Sequence, residues 1–158
     1  GARIRAYGTD GRELATGPVW GPGWRHQLCV APFAPGGGRE LAVVRKPHVD
    51  RAVEFYRLEE GELTVTATLS GFSTHTYGSR NVDQALAGDL DGDGRAELLL
   101  PTTERTALSV LRRTSSGVET VQSLALGGRL TTNVTGVAHG GSITVGAGTA
   151  DGVRLWQG

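Results

Sequence analysis

At 158 residues the chain is long enough for one domain with a sizeable core and too short for two of ordinary size. Sixteen basic residues balance sixteen acidic ones in scattered positions, so long-range electrostatics draws the chain to neither nucleic acid nor an anionic membrane surface. No apolar stretch approaches the roughly 20 residues of a bilayer-spanning helix, and 25 glycines, about twice the usual ~7%, suit tight turns and exclude a helical repeat.

The chain opens on Gly1-Ala2 with no initiator Met, which reads as a mature or excised piece without a signal peptide. Gly1-Ala2-Arg3-Ile4-Arg5-Ala6-Tyr7 and Glu13-Leu14-Ala15 predict two short strands around the Thr9-Asp10-Gly11 turn. Four strands follow at Leu28–Ala31, Glu40–Val44, Val53–Arg57 and Leu63–Ala67. A second set of four repeats the order at Gln84–Ala87, Glu97–Leu100, Leu108–Arg112 and Val118–Val121, offset by about 55 to 57 residues. A third, partial set comprises Val137-Ala138, Ile143–Val145 and Val153–Gln157. The first two strands of a set are almost continuously apolar, as strands covered on both faces are, while later ones alternate apolar with polar.

Four antiparallel strands in about 50 residues make one blade of a β-propeller. The expected fold is therefore all-β: a partial blade over 1–20, a blade over 21–75, a second over 76–130 and a partial blade over 131–158. A β-sandwich is the alternative, because a list of strands does not fix topology. Propellers close with about four to eight blades, and three blades leave two open ends. Either the chain is part of a larger propeller or copies join head to tail. Two chains would supply about six blades and three chains about nine; the dimer is the expected assembly and the trimer its alternative.

Between the first two strands of the second set runs Asp89-Leu90-Asp91-Gly92-Asp93-Gly94-Arg95-Ala96-Glu97. Calcium takes six to eight oxygen ligands in an adaptable shell, and alternate aspartates in a tightly wound loop can aim at one centre. The expected ligands are the Asp89, Asp91 and Asp93 side chains, the Arg95 backbone carbonyl and the closing Glu97 carboxylate, with the Arg95 side chain turned to solvent. An EF-hand is excluded, because its twelfth position is Leu100 here and its flanking helices are replaced by strands. A plain Asp/Gly turn that binds nothing is the alternative. In the first set the same loop is Ala31-Pro32-Phe33-Ala34-Pro35-Gly36-Gly37-Gly38-Arg39-Glu40, which has no aspartate, so one site per chain is expected, and a structural one.

The Asp-x-Asp-Gly-Asp-Gly-x-x-Glu-Leu loop between two strands, in repeats of about 50 to 60 residues, resembles the FG-GAP/VCBS repeats that build integrin-α-like propellers; Glu97 stands where that family usually has Asp, and its Phe-Gly and Gly-Ala-Pro signatures are missing. The resemblance is carried mainly by residues 82–127. It implies a calcium-stabilised propeller used for binding, extracellular or in the cell envelope. The expected function is a non-catalytic structural or interaction module with a protein or glycan ligand; a lectin and a polysaccharide-lyase-type enzyme are the alternatives.

No catalytic residue and no organic cofactor are expected, since no nucleophile elbow, phosphate loop or dinucleotide fingerprint occurs. The lone Cys29 excludes an intrachain disulfide and reads as a buried structural thiol. His26, His48, His75 and His139 have no spacing that makes them converge. Trp20, Trp24, Trp156 and Tyr77 could serve as sugar-stacking faces, with packing between blades as their plainer role. A lyase would need Arg, Lys and His side chains gathered over a central channel.

Overall fold

The computed structural model describes residues 2–157, and over them the chain is all-β, with thirteen strands and no helix. The opening hairpin is β1 (Arg5–Tyr7) and β2 (Glu13–Thr16). The first full set forms β3 (Arg25–Ala31), β4 (Glu40–Arg45), β5 (Ala52–Glu59) and β6 (Glu62–Ser70). The second forms β7 (Leu86–Gly88), β8 (Glu97–Pro101), β9 (Ala107–Thr114) and β10 (Gly117–Ala125). Three strands complete the chain: β11 (Leu130–His139), β12 (Ser142–Thr149) and β13 (Gly152–Gln157).

Each full set is a four-stranded antiparallel meander, and β11–β13 continue the pattern as a three-stranded sheet. The opening hairpin does not stand as a sheet of its own. Its second strand lies parallel to β6 through the single pair Thr16↔Glu62, which extends the first sheet to six strands. Strand β11 begins well before Val137, because Leu130 and Val134 are buried anchors while the polar run Thr131-Thr132-Asn133 between them hides the pattern in sequence.

Side chains alternate across a strand, and the central strands use both faces. On β4, Ala42 and Val44 enter a core shared with the second sheet, while Val43 points to the opposite face with Tyr56, Leu63, Ile4 and Ala15. On β8, Leu98 and Leu100 meet Val53 and Phe55 of the first sheet, while Leu99 joins Val134, Val145 and Ala147 of the third. The three sheets therefore stack face to face in chain order. Their first strands β3, β7 and β11 are neighbours. Glycine lets the second and third sheets approach closely: a Cβ on Gly136 of β11 would stand 2.5 Å from Leu86 of β7, and one on Gly88 of β7 would stand 2.5 Å from the Ile143 side chain of β12.

Strand direction divides the loops between two ends of the stack. One end carries the segments 32–39 and 89–96 and the β5–β6 and β9–β10 turns. The other carries 46–51, 71–85, 102–106 and 126–129, which hydrogen-bond one another (Ser73 N to Pro101 O 3.2 Å, Thr103 N to Gly71 O 2.9 Å, Leu130 N to Arg105 O 2.8 Å).

A buried ion cluster ties the first two sheets together at the first of these ends. Glu40, at the head of β4, accepts from Arg113 Nε on β9 (2.9 Å), from Arg57 Nη2 on β5 (2.9 Å) and from the Thr66 hydroxyl (2.8 Å). Burial pushes the Glu40 carboxyl up, but the bonds from Arg113, Thr66 and Arg57 together outweigh it and hold its pKa below the ordinary glutamate value. Glu40→Ala leaves the Arg113 guanidinium buried and unpaired, and urea denaturation should show a loss of about 3–5 kcal/mol. The carboxylate's contribution is present above the unfolded glutamate pKa of about 4.3 and is lost as pH falls through the lower folded value. The gap between wild type and variant should therefore close in acid.

Candidate functional site

The loop between β7 and β8 winds tightly because Gly92 and Gly94 adopt φ of 80° and 83°, a region that a Cβ disfavours. Asp89 caps the turn, its two oxygens accepting from Gly92 N (2.8 Å) and Gly94 N (2.9 Å). Leu90 points inward as an apolar plug in the core between the second and third sheets. Glu97, with none of its side chain exposed, accepts from Leu90 N at 3.0 Å.

Of the residues expected to gather here, Asp89, Asp91 and Glu97 present oxygens that all lie within 4.8 Å of one another. Asp93 stands outside that group, accepting from Arg95 N (2.9 Å). Arg95 is exposed, in line with a side chain turned to solvent. Three carboxylates around one point form a hard oxygen donor set of the kind a calcium ion takes, and the trio fits such an ion in chemistry. Zinc fits less well, because neither His nor Cys belongs to the group.

The residue that sequence reasoning missed is Arg112. From β9 it bonds Asp91, lies 3.3 Å from Asp93 and reaches Glu97 at 3.2 Å, so one guanidinium offsets the loop's negative charge. Burial raises the Glu97 pKa, opposed by the Leu90 N–H and by Arg112, and Asp91 adds to the rise. The signal was available in the repeat alignment. Arg57 aligns with Arg112 as Glu40 does with Glu97, and the register places each Glu beside its Arg on the neighbouring strand, Leu41↔Tyr56 in one sheet and Leu98↔Leu111 in the other.

The opposite end brings together residues whose spacing gave no warning. Trp24 stacks on His26 (ring centroids 4.7 Å) and meets His75 edge-on at 5.1 Å. His48 and His75 share a hydrogen bond, Nε2 to Nδ1 at 3.0 Å, and Tyr77 lies edge-on to His48 at 5.9 Å. With the Ser79 carbonyl accepting from His75 Nε2–H (3.0 Å), His75 Nδ1 is the acceptor and His48 Nε2–H the donor. Burial first, and then the charge of His75 and Arg51, keeps the His48 pKa below its ordinary value. His26 bonds the Thr74 hydroxyl at 2.7 Å, and burial, followed by His75, lowers its pKa as well.

The remaining candidates lie apart. His139 is exposed at the end of β11, Trp156 packs on the core between the second and third sheets, and Trp20 lies under the Arg25 and Arg45 guanidinia at 5.2 and 5.8 Å. Cys29 packs against the core of the first two sheets, and burial pushes its thiol up to about 11, out of the range of reactive cysteines.

No protein-family model matches the chain, and no curated protein is significantly similar to it in sequence. Among solved structures, the chain is similar to a protein from Lactobacillus plantarum at 17% identity and a TM-score of 0.49. That match covers 98% of this chain and 50% of the other, so the chain spans about half the length of the protein it matches.

Replacing Arg112 with Ala leaves Asp91, Asp93 and Glu97 facing one another without a positive charge. In metal-free buffer a loss of about 2 kcal/mol is expected, which lowers Tm by about 4–8 °C for a domain of this size. Differential scanning calorimetry of the variant against wild type reads it directly.

Proposed function

We propose that the chain is a run of β-propeller blades that closes into a ring with further blades and serves as a non-catalytic structural or interaction module, with a calcium ion at 89–97 stabilising one blade. The observation that carries this reading is the pair of open outer faces. The inner faces of the three sheets are sealed against one another, whereas the outer face of the third sheet presents Val137, Val153 and Leu155, the last two more than 70% exposed. On the outer face of the first sheet, Val30 and Leu58 border an apolar groove of about 380 Å³ with Ile4, Ala6 and Tyr56. Uncovered apolar faces of this kind mark association surfaces.

Two further features support blades. In the second sheet the strands lengthen from three residues in β7 to nine in β10, the taper of a wedge around an axis. The first strands β7 and β11 also crowd together at Gly136, where a Cβ would meet Leu86, as innermost strands do. A second reading, a saccharide-binding or lyase-type surface, is favoured by one specific observation. The basic groups such a surface requires do gather, with His48, His75, Arg51, Arg105 and Arg129 around one cavity. An extracellular or envelope location belongs to the proposal through the family resemblance alone.

Light scattering of the chain in dilute solution should give a mass of two or three copies, the dimer being expected, and Leu155→Glu should shift it toward the monomer. A wild-type monomer at micromolar concentration would refute ring closure by this chain's own copies. Separately, calcium should raise the melting temperature and a chelator should lower it, as for any ligand that binds only the folded state. Asp91→Ala should remove that sensitivity; a calcium response that survives the substitution would place the ion elsewhere.

A further inference from the structure

The end of the stack opposite the carboxylate loop holds a buried cation with no counter-charge. Arg105, in the β8–β9 loop, is only 3% exposed. Its Nη1 donates to the Ser73 carbonyl at 3.2 Å, and its Nε is buried with no acceptor. Among the described residues, no carboxylate lies within ion-pair distance of Arg105, Arg51 or Arg129. Burial, and next the charge of Arg129, lower the Arg105 pKa, and no acidic group opposes them. Arg25, the other buried arginine with unpartnered nitrogens, differs in lying against the Trp20 ring. A buried guanidinium without an anion is a costly arrangement, and a buried N–H without an acceptor calls for a missing partner.

The surroundings of Arg105 describe that partner. The three arginines line one open cavity of about 250 Å³ together with His48, His75 and Tyr77. The backbone is strained on both sides of it: Arg105 has φ of 64° and Arg51 φ of 52°, in the left-handed region where side chains other than glycine are uncommon. Strain of this kind is concentrated at ligand-binding positions. It is held here by loop hydrogen bonds, with Arg51 O accepting from Gly71 N and Phe72 N (2.9 Å each) and Arg105 O from Leu130 N. Beside the cavity, Tyr77 is 90% exposed, an aromatic face left in water with a polar tip.

We propose that this cavity is a binding site for an oxyanion group, a carboxylate, phosphate or sulfate carried by a ligand whose ring or chain lies over Tyr77. Guanidinium forks match the paired oxygens of such groups, and charge-assisted bonds to them are the strong ones. Arg105, nearly buried in the cavity's lining, supplies the desolvated charge. Arg51 and Arg129, both exposed, supply the outer charges. The site lies at the opposite end of the strands from the carboxylate loop and does not depend on calcium or on ring closure.

The test is a titration of the protein with inorganic phosphate, with sulfate and with D-glucuronate, each at constant ionic strength made up with chloride, and with glucose as an uncharged control. Tryptophan emission follows binding, since Trp24 contacts His75, and the melting temperature is recorded in parallel. At least one of the three oxyanions should bind saturably and raise Tm where chloride and glucose do not, and the order among them identifies the group preferred. Arg105→Gln should weaken that binding at least tenfold. Because Arg105 is buried, the Arg51→Ser/Arg129→Ser double variant, altered only at exposed positions, serves as a second probe with the same expected loss. Binding no tighter than chloride for all three anions, or undiminished binding by the double variant, would overturn the proposal.

Discussion

Because successive side chains of a strand point to opposite faces, β4 and β8 each supply two cores at once, and the stack of three sheets depends on this. Leu98 and Leu100 face the first sheet while Leu99 faces the third, all three without solvent exposure. A shift of one residue in either strand would exchange these contacts and bring the polar positions next to the core. The aromatic and aliphatic residues of β5 and β9 follow the same division, with Phe55 on one side and Tyr56 on the other. The stacking also explains why the outermost faces remain apolar: they follow the rule of the inner sheets with no sheet beyond them.

The two full copies solve one problem in two ways. Each needs a connection from its first to its second strand that also anchors the start of the second. In both, a glutamate at the head of the second strand meets an arginine on the third, Glu40 with Arg57 and Glu97 with Arg112. In both, an apolar residue of the loop enters the core, Phe33 edge-on to Phe55 at 5.2 Å and Leu90 beside Leu99. What differs is the rest of the loop. The second copy adds aspartates and gathers negative charge, while the first replaces them with a Pro/Gly turn and gives its glutamate to a second arginine across the sheet interface, Arg113. The Glu–Arg pair is thus the shared element, and the aspartates are laid over it.

Much of this architecture was legible in the sequence. Every segment expected to be a strand overlaps one, because alternation and turn residues are local signals. The start of β11 was hidden, since Leu130 and Val134 are separated by three polar residues and only tertiary burial joins them. The place of the opening hairpin was hidden as well, because which sheet edge a strand adds to is decided by contacts far away in sequence. In the carboxylate loop the sequence singled out Asp89, Asp91 and Glu97, which the fold brings together, and Asp93, which stands outside that group, but not their neighbour Arg112, whose part follows from strand register. The convergence of His48 with His75, and of Arg105 with Arg51 and Arg129, comes from four loops that no local pattern connects.

The separation of the loops onto two ends has a consequence for how such a chain can diversify. Stiff strands with sealed cores lie between the segment 89–97 and the segments 46–51 and 102–106, and the two groups share no hydrogen bond or ion pair among the described residues. Sequence drift in the carboxylate loop can change how firmly one sheet is held without reshaping the arginine-lined cavity. Drift in the loops of the cavity can alter what is recognised without disturbing the carboxylates. Such modularity lets recognition and robustness be tuned one at a time, and the first copy, with no aspartate in its loop and all four strands intact, shows that this kind of sheet forms without the carboxylate cluster.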